Sequence, residues 1–280
     1  MSKVDDMNEL FSQSTYRLPT DRHRLTLREP PRLDDPLAER LHRKQRLAAS
    51  YRLFAQLGFE VGVAGHFTAR DPIEPDHFWI NPFGVPFSQI CVSHLQRVNG
   101  QGEVVEGEGV LNTSALELHY DLQKARPDVV GIAHVHGLHG RVWSSLGRLF
   151  EPIIAESNAF IGDQVIFERL ALRNAEGHIE RNRERVSQAF VQTFAQNNLL
   201  FWQNHGLWTV GQSVETAAWR CILADDTARA HLLAYAAGTP LIPDMDTPRK
   251  NDRAGQEFFA WQNFLPLWDR IVREQPDLLD

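Results

Sequence analysis

The first sustained helical pattern begins after Pro36, where Leu37, Leu41, Tyr51 and Phe54 fall among charged residues. Asp34, Asp35 and Pro36 supply a cap and a first-turn proline, and Gly58 ends the predicted helix. Its His42, Arg43, Lys44 and Arg46 cluster reads as a solvated face. The passage GFEVGVAGHFTARDP that follows is dense in glycine, but Gly58, Gly62 and Gly65 do not make the GxGxxG of a dinucleotide site. HFWI at 77–80 reads as a short strand closed by Asn81 and Pro82, and GQGEVVEG as a hairpin arm. A helix is expected from about Thr113 to Ala125, bounded by Arg126-Pro127-Asp128. The continuous apolar run VVGIAHVH, residues 129–136, predicts a central strand rather than a half-exposed one.

Between 140 and 183 the pattern is mixed, with VIFERLAL an edge or connecting segment. A helix then carries Val186, Phe190, Val191 and Phe194 on its inner face. LLFWQNHGLWTVG predicts a strand, a sharp break at His205-Gly206 and a second strand. Val214 to Ala237 is the clearest helix in the chain, stopped by Gly238 and Pro240. WQNFLPLWDRIVREQ predicts a last helix whose aromatics dock on the body or on a neighbouring subunit. These elements imply one α/β or α+β unit over 37–240, a Pro- and Arg-rich arm over 1–36, and a C-terminal arm with a docking helix over 241–280.

Composition narrows the partners. A formal charge of -7 across 280 residues argues against a nucleic-acid partner, which needs a basic stripe. The N-terminal stretch has no apolar signal core and no run is long enough to span a bilayer, so no membrane partner is expected. The two cysteines, Cys91 and Cys221, are read as buried thiols in a reducing cytoplasm rather than as a disulfide.

Chemistry concentrates in the histidines. Residues i and i+2 point to one side of a strand, so His134 and His136 project together. His205, released by Gly206 after another apolar strand, is the third candidate. Three neutral nitrogens with one open position describe a catalytic metal centre better than a closed structural one, and zinc, manganese and ferrous iron all suit them.

GVAGHFTAR, WINPFGVPFSQI, SHLQRVNGQGEVVEG, ARPDVVGIAHVHG and LLFWQNHGLWTVG, in that order and followed by the long helix, resemble the class II aldolase/adducin superfamily. The resemblance runs over roughly residues 40 to 235. It implies αβα layers around a central, mainly antiparallel sheet flanked by helices, and a tetramer with active sites between subunits. It also implies one divalent ion per subunit on His134, His136 and His205, with a nearby glutamate moving the proton. The family's glutamate does not transfer: counting back from Arg126-Pro127-Asp128, its place falls on Ala115. Glu117 is turned by about 200° from that position on a helix, whereas His119, one turn on, shares its face and is the better base or fourth ligand. Glu156 falls near the place of an acid tyrosine in the family. His66 and Phe83 stand where aldolases of phosphorylated sugars carry small hydroxyl or amide residues, while Thr113 and Ser114 persist as donors. Phe83, with Phe87, Trp79 and Phe67 near it in sequence, points to an apolar or aromatic substrate, two or more of the four being core.

The first expectation is therefore a metal-dependent lyase that breaks a C–C bond in a small hydroxylated carboxylic acid, by decarboxylation or retro-aldol cleavage. His119, His66 or Glu156 protonates the carbanion, and Arg70 or Arg141 pairs with a carboxylate. A non-heme iron oxygenase on the same fold is the alternative. A non-catalytic, adducin-like assembly module is the third reading; Ala115 favours it and the intact histidines oppose it.

Overall fold

The computed structural model describes residues 28–243 and 255–280. Strands β1 (His66–Arg70), β2 (Phe78–Ile80), β3 (Gln96–Val98), β4 (Val104–Glu106), β5 (Gly131–Val135), β6 (Gln164–Phe167), β7 (Leu199–Trp202) and β8 (Gly206–Gly211) join in one sheet. Their order is β4-β3-β2-β1-β5-β8-β7-β6. Neighbours run antiparallel except β6 and β7, which are parallel. This is the αβα fold with a mainly antiparallel sheet that the sequence implied. VIFERLAL forms the β6 edge, and GQGEVVEG forms the β3–β4 hairpin.

Alternation along β5 explains the layers. Ala133 and Val135 enter a large core built with helices α1 (Pro36–Gln56) and α5 (Val214–Ala237), whereas Ile132 faces a second core with α2 (Thr113–Ala125) and α4 (Arg183–Phe194). His134 shares the face of Ile132 by strand periodicity. Side-chain caps start three of these helices: Asp35 accepts from Leu37 N–H, Asn182 from Arg185 N–H and Ser213 from Thr216 N–H.

Two helices depart from the sequence expectation. α3 (Leu138–Ser145) lies in the stretch read only as mixed, because Leu138 and Val142 are exposed and Gly140 interrupts its buried face. α6 (Glu257–Glu274) begins four residues before the predicted WQNFLPLWDRIVREQ and runs through Pro266, which is exposed. α6 docks on α5 and α1 through Phe259, Ala260, Phe264 and Ile271. Most of the expected N-terminal arm and of the linker before α6 lies outside the described residues. Among the described residues no helix is long and apolar enough to cross a membrane.

One buried ion pair fixes α1 against the sheet. The Asp71 carboxylate has no exposed surface and accepts from Arg40 Nε (2.8 Å) and Nη2 (2.9 Å), Trp79 Nε1 (2.8 Å) and the amides of Ile73 and Glu74. Burial alone would raise its pKa, but the bonds from Arg40, Glu74, Trp79 and Ile73 outweigh it and hold the carboxyl below its usual range. Asp71 therefore stabilises the fold above the unfolded-state value of about 3.9, and the contribution is lost as pH falls through the lower folded value. Asp71→Asn should destabilise by roughly 3 kcal/mol at pH 7 in denaturant titrations. The gap to the parent should narrow in the acid range; a gap that is absent at neutral pH, or that widens in acid, contradicts this account.

Candidate metal centre

Strand register assembles the site. His66 on β1 lies opposite His134 on β5, and His134 lies opposite Trp208 on β8. Paired residues share a face, so the three rings form a row across three strands on the side covered by α2 and α4. His136 follows the last residue of β5, and His205 sits in the tight turn between β7 and β8. Asn204 takes the left-handed φ of 61° that this turn requires. A Cβ on Gly206 would lie 3.2 Å from the Val135 carbonyl oxygen, so glycine lets β8 start flush against β5.

The turn brings the three predicted ligands together. His134 Nδ1–H donates to the Leu207 carbonyl at 2.9 Å, which leaves its Nε2 as a bare lone pair. The Nε2 atoms of His136 and His205 each stand 3.2 Å from it, and the three candidate ligand atoms lie within 4.8 Å of one another. A single lone pair cannot accept from two ring N–H groups, but a cation between three lone pairs satisfies all of them. Nitrogens bound at about 2.0–2.1 Å in tetrahedral directions stand roughly 3.3 Å apart, so the donor set fits such an ion.

Electrostatics favour the same form. Burial first, then the neighbouring imidazoles, lowers the His134 pKa well below its ordinary value. Burial, His205 and Arg141 bring His136 down to about 4, and burial lowers His205. All three rings are thus neutral near pH 7, the state that ligates. His134 is buried, His136 half-buried and His205 exposed, so the cluster opens toward solvent on one side.

Behind it stands a wall of buried polar side chains. His66 Nδ1 meets His119 Nε2 at 2.6 Å, His119 Nδ1 meets Thr68 Oγ1 at 2.7 Å, and Gln123 Nε2 donates to Thr68 Oγ1 at 3.4 Å. His119 is wholly buried and His66 keeps 7% of its surface exposed. Burial pushes both pKa values well down. Trp208 stacks on His134 with ring centroids 4.4 Å apart at 17°.

The remaining candidates are spread more widely. Glu156 is exposed on the short turn Glu156–Ala159, which packs against α5. Arg70, at the opposite end of β1 from His66, directs its guanidinium to the carbonyls of Pro75, Gln123, Arg126 and Val129. Arg141 is half-buried on α3 and influences His136 electrostatically. Phe83 is exposed and bridges to Val110, whereas Phe67, Trp79 and Phe87 are core. Thr113 is exposed at the start of α2; the Ser114 and Ala115 side chains lie outside the described ones. Glu117 is half-buried and faces Arg183 at 3.6 Å. Sequence reasoning missed Thr68, Trp208 and Asp225. The first two were within reach, since Thr68 follows His66 by two residues and Trp208 lies two past Gly206.

The class II aldolase and adducin N-terminal domain family matches residues 45–232. The chain belongs to this family. Within it, the chain is 33% identical to Decarboxylase NovR of Streptomyces niveus over 274 residues, which is 96% of this chain and 97% of that protein. It is 32% identical over the same length to a Streptomyces roseochromogenus subsp. oscitans protein named 4-hydroxy-3-prenylphenylpyruvate oxygenase/4-hydroxy-3-prenylbenzoate synthase, covering 96% of this chain and 94% of that one. Among solved structures, the L-fuculose 1-phosphate aldolase of Glaciozyma antarctica is similar with a TM-score of 0.78 and 32% identity, over 90% of this chain and 97% of that one.

His136→Ala should lower retention of a divalent ion by more than the roughly 10–100-fold typical of losing a supporting contact. Metal analysis after dialysis reads the effect, and an unchanged far-UV spectrum is expected because the ring sits at the rim. Full occupancy in the variant would rule the site out.

Proposed function

We propose that the chain is a metal-dependent lyase that breaks a C–C bond beside a carboxylate or carbonyl in a small hydroxylated carboxylic acid, aromatic acids foremost. The observation that carries this reading is the convergence of three Nε2 atoms in a chain 33% identical to a protein named a decarboxylase. His134, His136 and His205 would hold one divalent ion per subunit, zinc, manganese or ferrous iron. Bound there, the ion supplies Lewis acidity for negative charge that develops on an oxygen next to the breaking bond. The protein works on this reading as a cytoplasmic homotetramer.

The chain's own residues handle the proton. Gln123 N–H donates to Thr68, whose hydroxyl donates in turn to His119 Nδ1; His119 Nε2–H then points at His66 Nδ1. This ordering leaves the His66 proton on Nε2, away from His119. Breaking the bond leaves its electron pair on the substrate carbon, with CO2 departing from a carboxylate or an aldehyde departing from a hydroxyl whose proton passes to water. That carbon then takes a proton from a water molecule, which His66 Nε2–H orients while the ring stays neutral. His119 positions His66, and Trp208 keeps water from the inner face of His134. The half-exposed rim at His136 and His205 is the side from which substrate enters.

A second reading, an iron-dependent oxygenase, is favoured by one relative's printed name. The absence of any carboxylate from the histidine cluster among the described residues is compatible with it. Metal-loaded protein incubated with hydroxylated aromatic acids separates the two. The lyase is expected to release CO2 or an aldehyde with zinc or manganese under argon, one product per substrate. Turnover only with iron, together with stoichiometric dioxygen uptake, overturns it.

A further inference from the structure

We infer that Arg141 is the anchor for the substrate's carboxylate, an unpaired guanidinium held between the turns that carry His136 and His205. The inference rests on the lyase reading for its substrate class and names the residue that selects the acid.

Helix α3 joins those two turns. Its N-cap, Gly137, directly follows His136, and near its end the Ser144 carbonyl accepts the Asn204 amide at 3.3 Å, the residue before His205. Gly140, Trp143 and Ser144 form its buried face, while Leu138, Val142 and Leu146 are exposed. Arg141 lies at the border, one turn after Gly137 and one before Ser144. It therefore rides on the side of α3 that connects the two outer ligands.

Its hydrogen-bonding state sets it apart. Arg141 Nε is buried and has no partner, and among the described residues no carboxylate reaches this guanidinium. A buried charged donor without an acceptor is costly. Arg46, Arg169 and Arg270 also bury an unpartnered nitrogen, but each of these guanidinium groups bonds a neighbour through another nitrogen. The other sequence candidate, Arg70, spends its donors on four backbone carbonyls. Arg148, just beyond the same helix, is paired with Glu151 and Tyr235. The positive charge of Arg141 is felt at His136, which agrees with its placement at the rim.

The helix is also locked. Asp225 on α5 accepts the Gly140 amide at 2.8 Å through Oδ1 and meets His139 Nδ1 at 2.9 Å through Oδ2. Arg141 follows directly, so its backbone is fixed before any ligand arrives. A planar guanidinium held in this way takes a carboxylate through two parallel N–H···O bonds, which an ammonium or an amide cannot reproduce. The contact is made in the ground state, so its loss is read in binding.

The test is equilibrium titration of zinc-loaded protein with 4-hydroxymandelate and with its neutral amide. The parent should bind the acid at least about tenfold more tightly than the amide. In Arg141→Met that preference should collapse to within about threefold, with zinc content and melting temperature unchanged. Arg141→Lys should keep an intermediate preference, and Arg141→Gln replaces the methionine variant if that one unfolds. An acid preference that survives in Arg141→Met, or that is absent from the parent, overturns the inference. Because binding is read without turnover, a collapsed preference in a protein that cleaves no acid would sink the lyase reading and leave Arg141 in its role.

Discussion

The antiparallel pairing of β5 with β8 is the constraint on which the centre depends. It sets Leu207 beside Val135, so the Leu207 carbonyl takes the Nδ1 proton of His134. That one bond decides which nitrogen of His134 is free and where it points. A slip of one residue in this ladder would turn His134 toward the α1/α5 core and send Val135 to the other face. The hydrophobic alternation of the central strand thus specifies the donor set as strictly as the histidines themselves do.

Around this ladder the protein gathers polar groups in two ways. At Asp71 a full charge is buried, because five donors compensate for its lost hydration. Around His134 the protein buries imidazoles instead, kept neutral by desolvation and by each other, and satisfied in sequence from Gln123 to His66. The first arrangement joins α1 to the sheet. The second leaves nitrogens with lone pairs facing a common point, a geometry that stability alone does not require.

Much of this was legible in the chain. The apolar run ending in AHVH gave the central strand, and its period of two put His134 and His136 on one side. The break at His205-Gly206 was visible as a glycine between two apolar segments. α3 was hidden because three apolar side chains of its stretch point outward, which blurs the helical stripe. Arg70 and Arg141 looked alike in sequence; only the tertiary positions of four carbonyls distinguish them. Glu156 was singled out by alignment to a tyrosine, and its exposure on a turn against α5 depends on a loop path that no local pattern encodes. Asp225, between Ala224 and Asp226 on a long helix, carries no local signal for its bond to a turn 85 residues away.

Gly137 carries a consequence for how the molecule responds to strain. A Cβ there would fall 2.4 Å from Asp225 Oδ1, so the turn after His136 and the long helix α5 meet without slack. The Asp225 side chain is the one piece between them, and its bonds to the Gly140 amide and to His139 hold it in place. The rim of the cluster is in this sense tied to a 24-residue helix through a glycine that no other residue could replace without displacing Asp225.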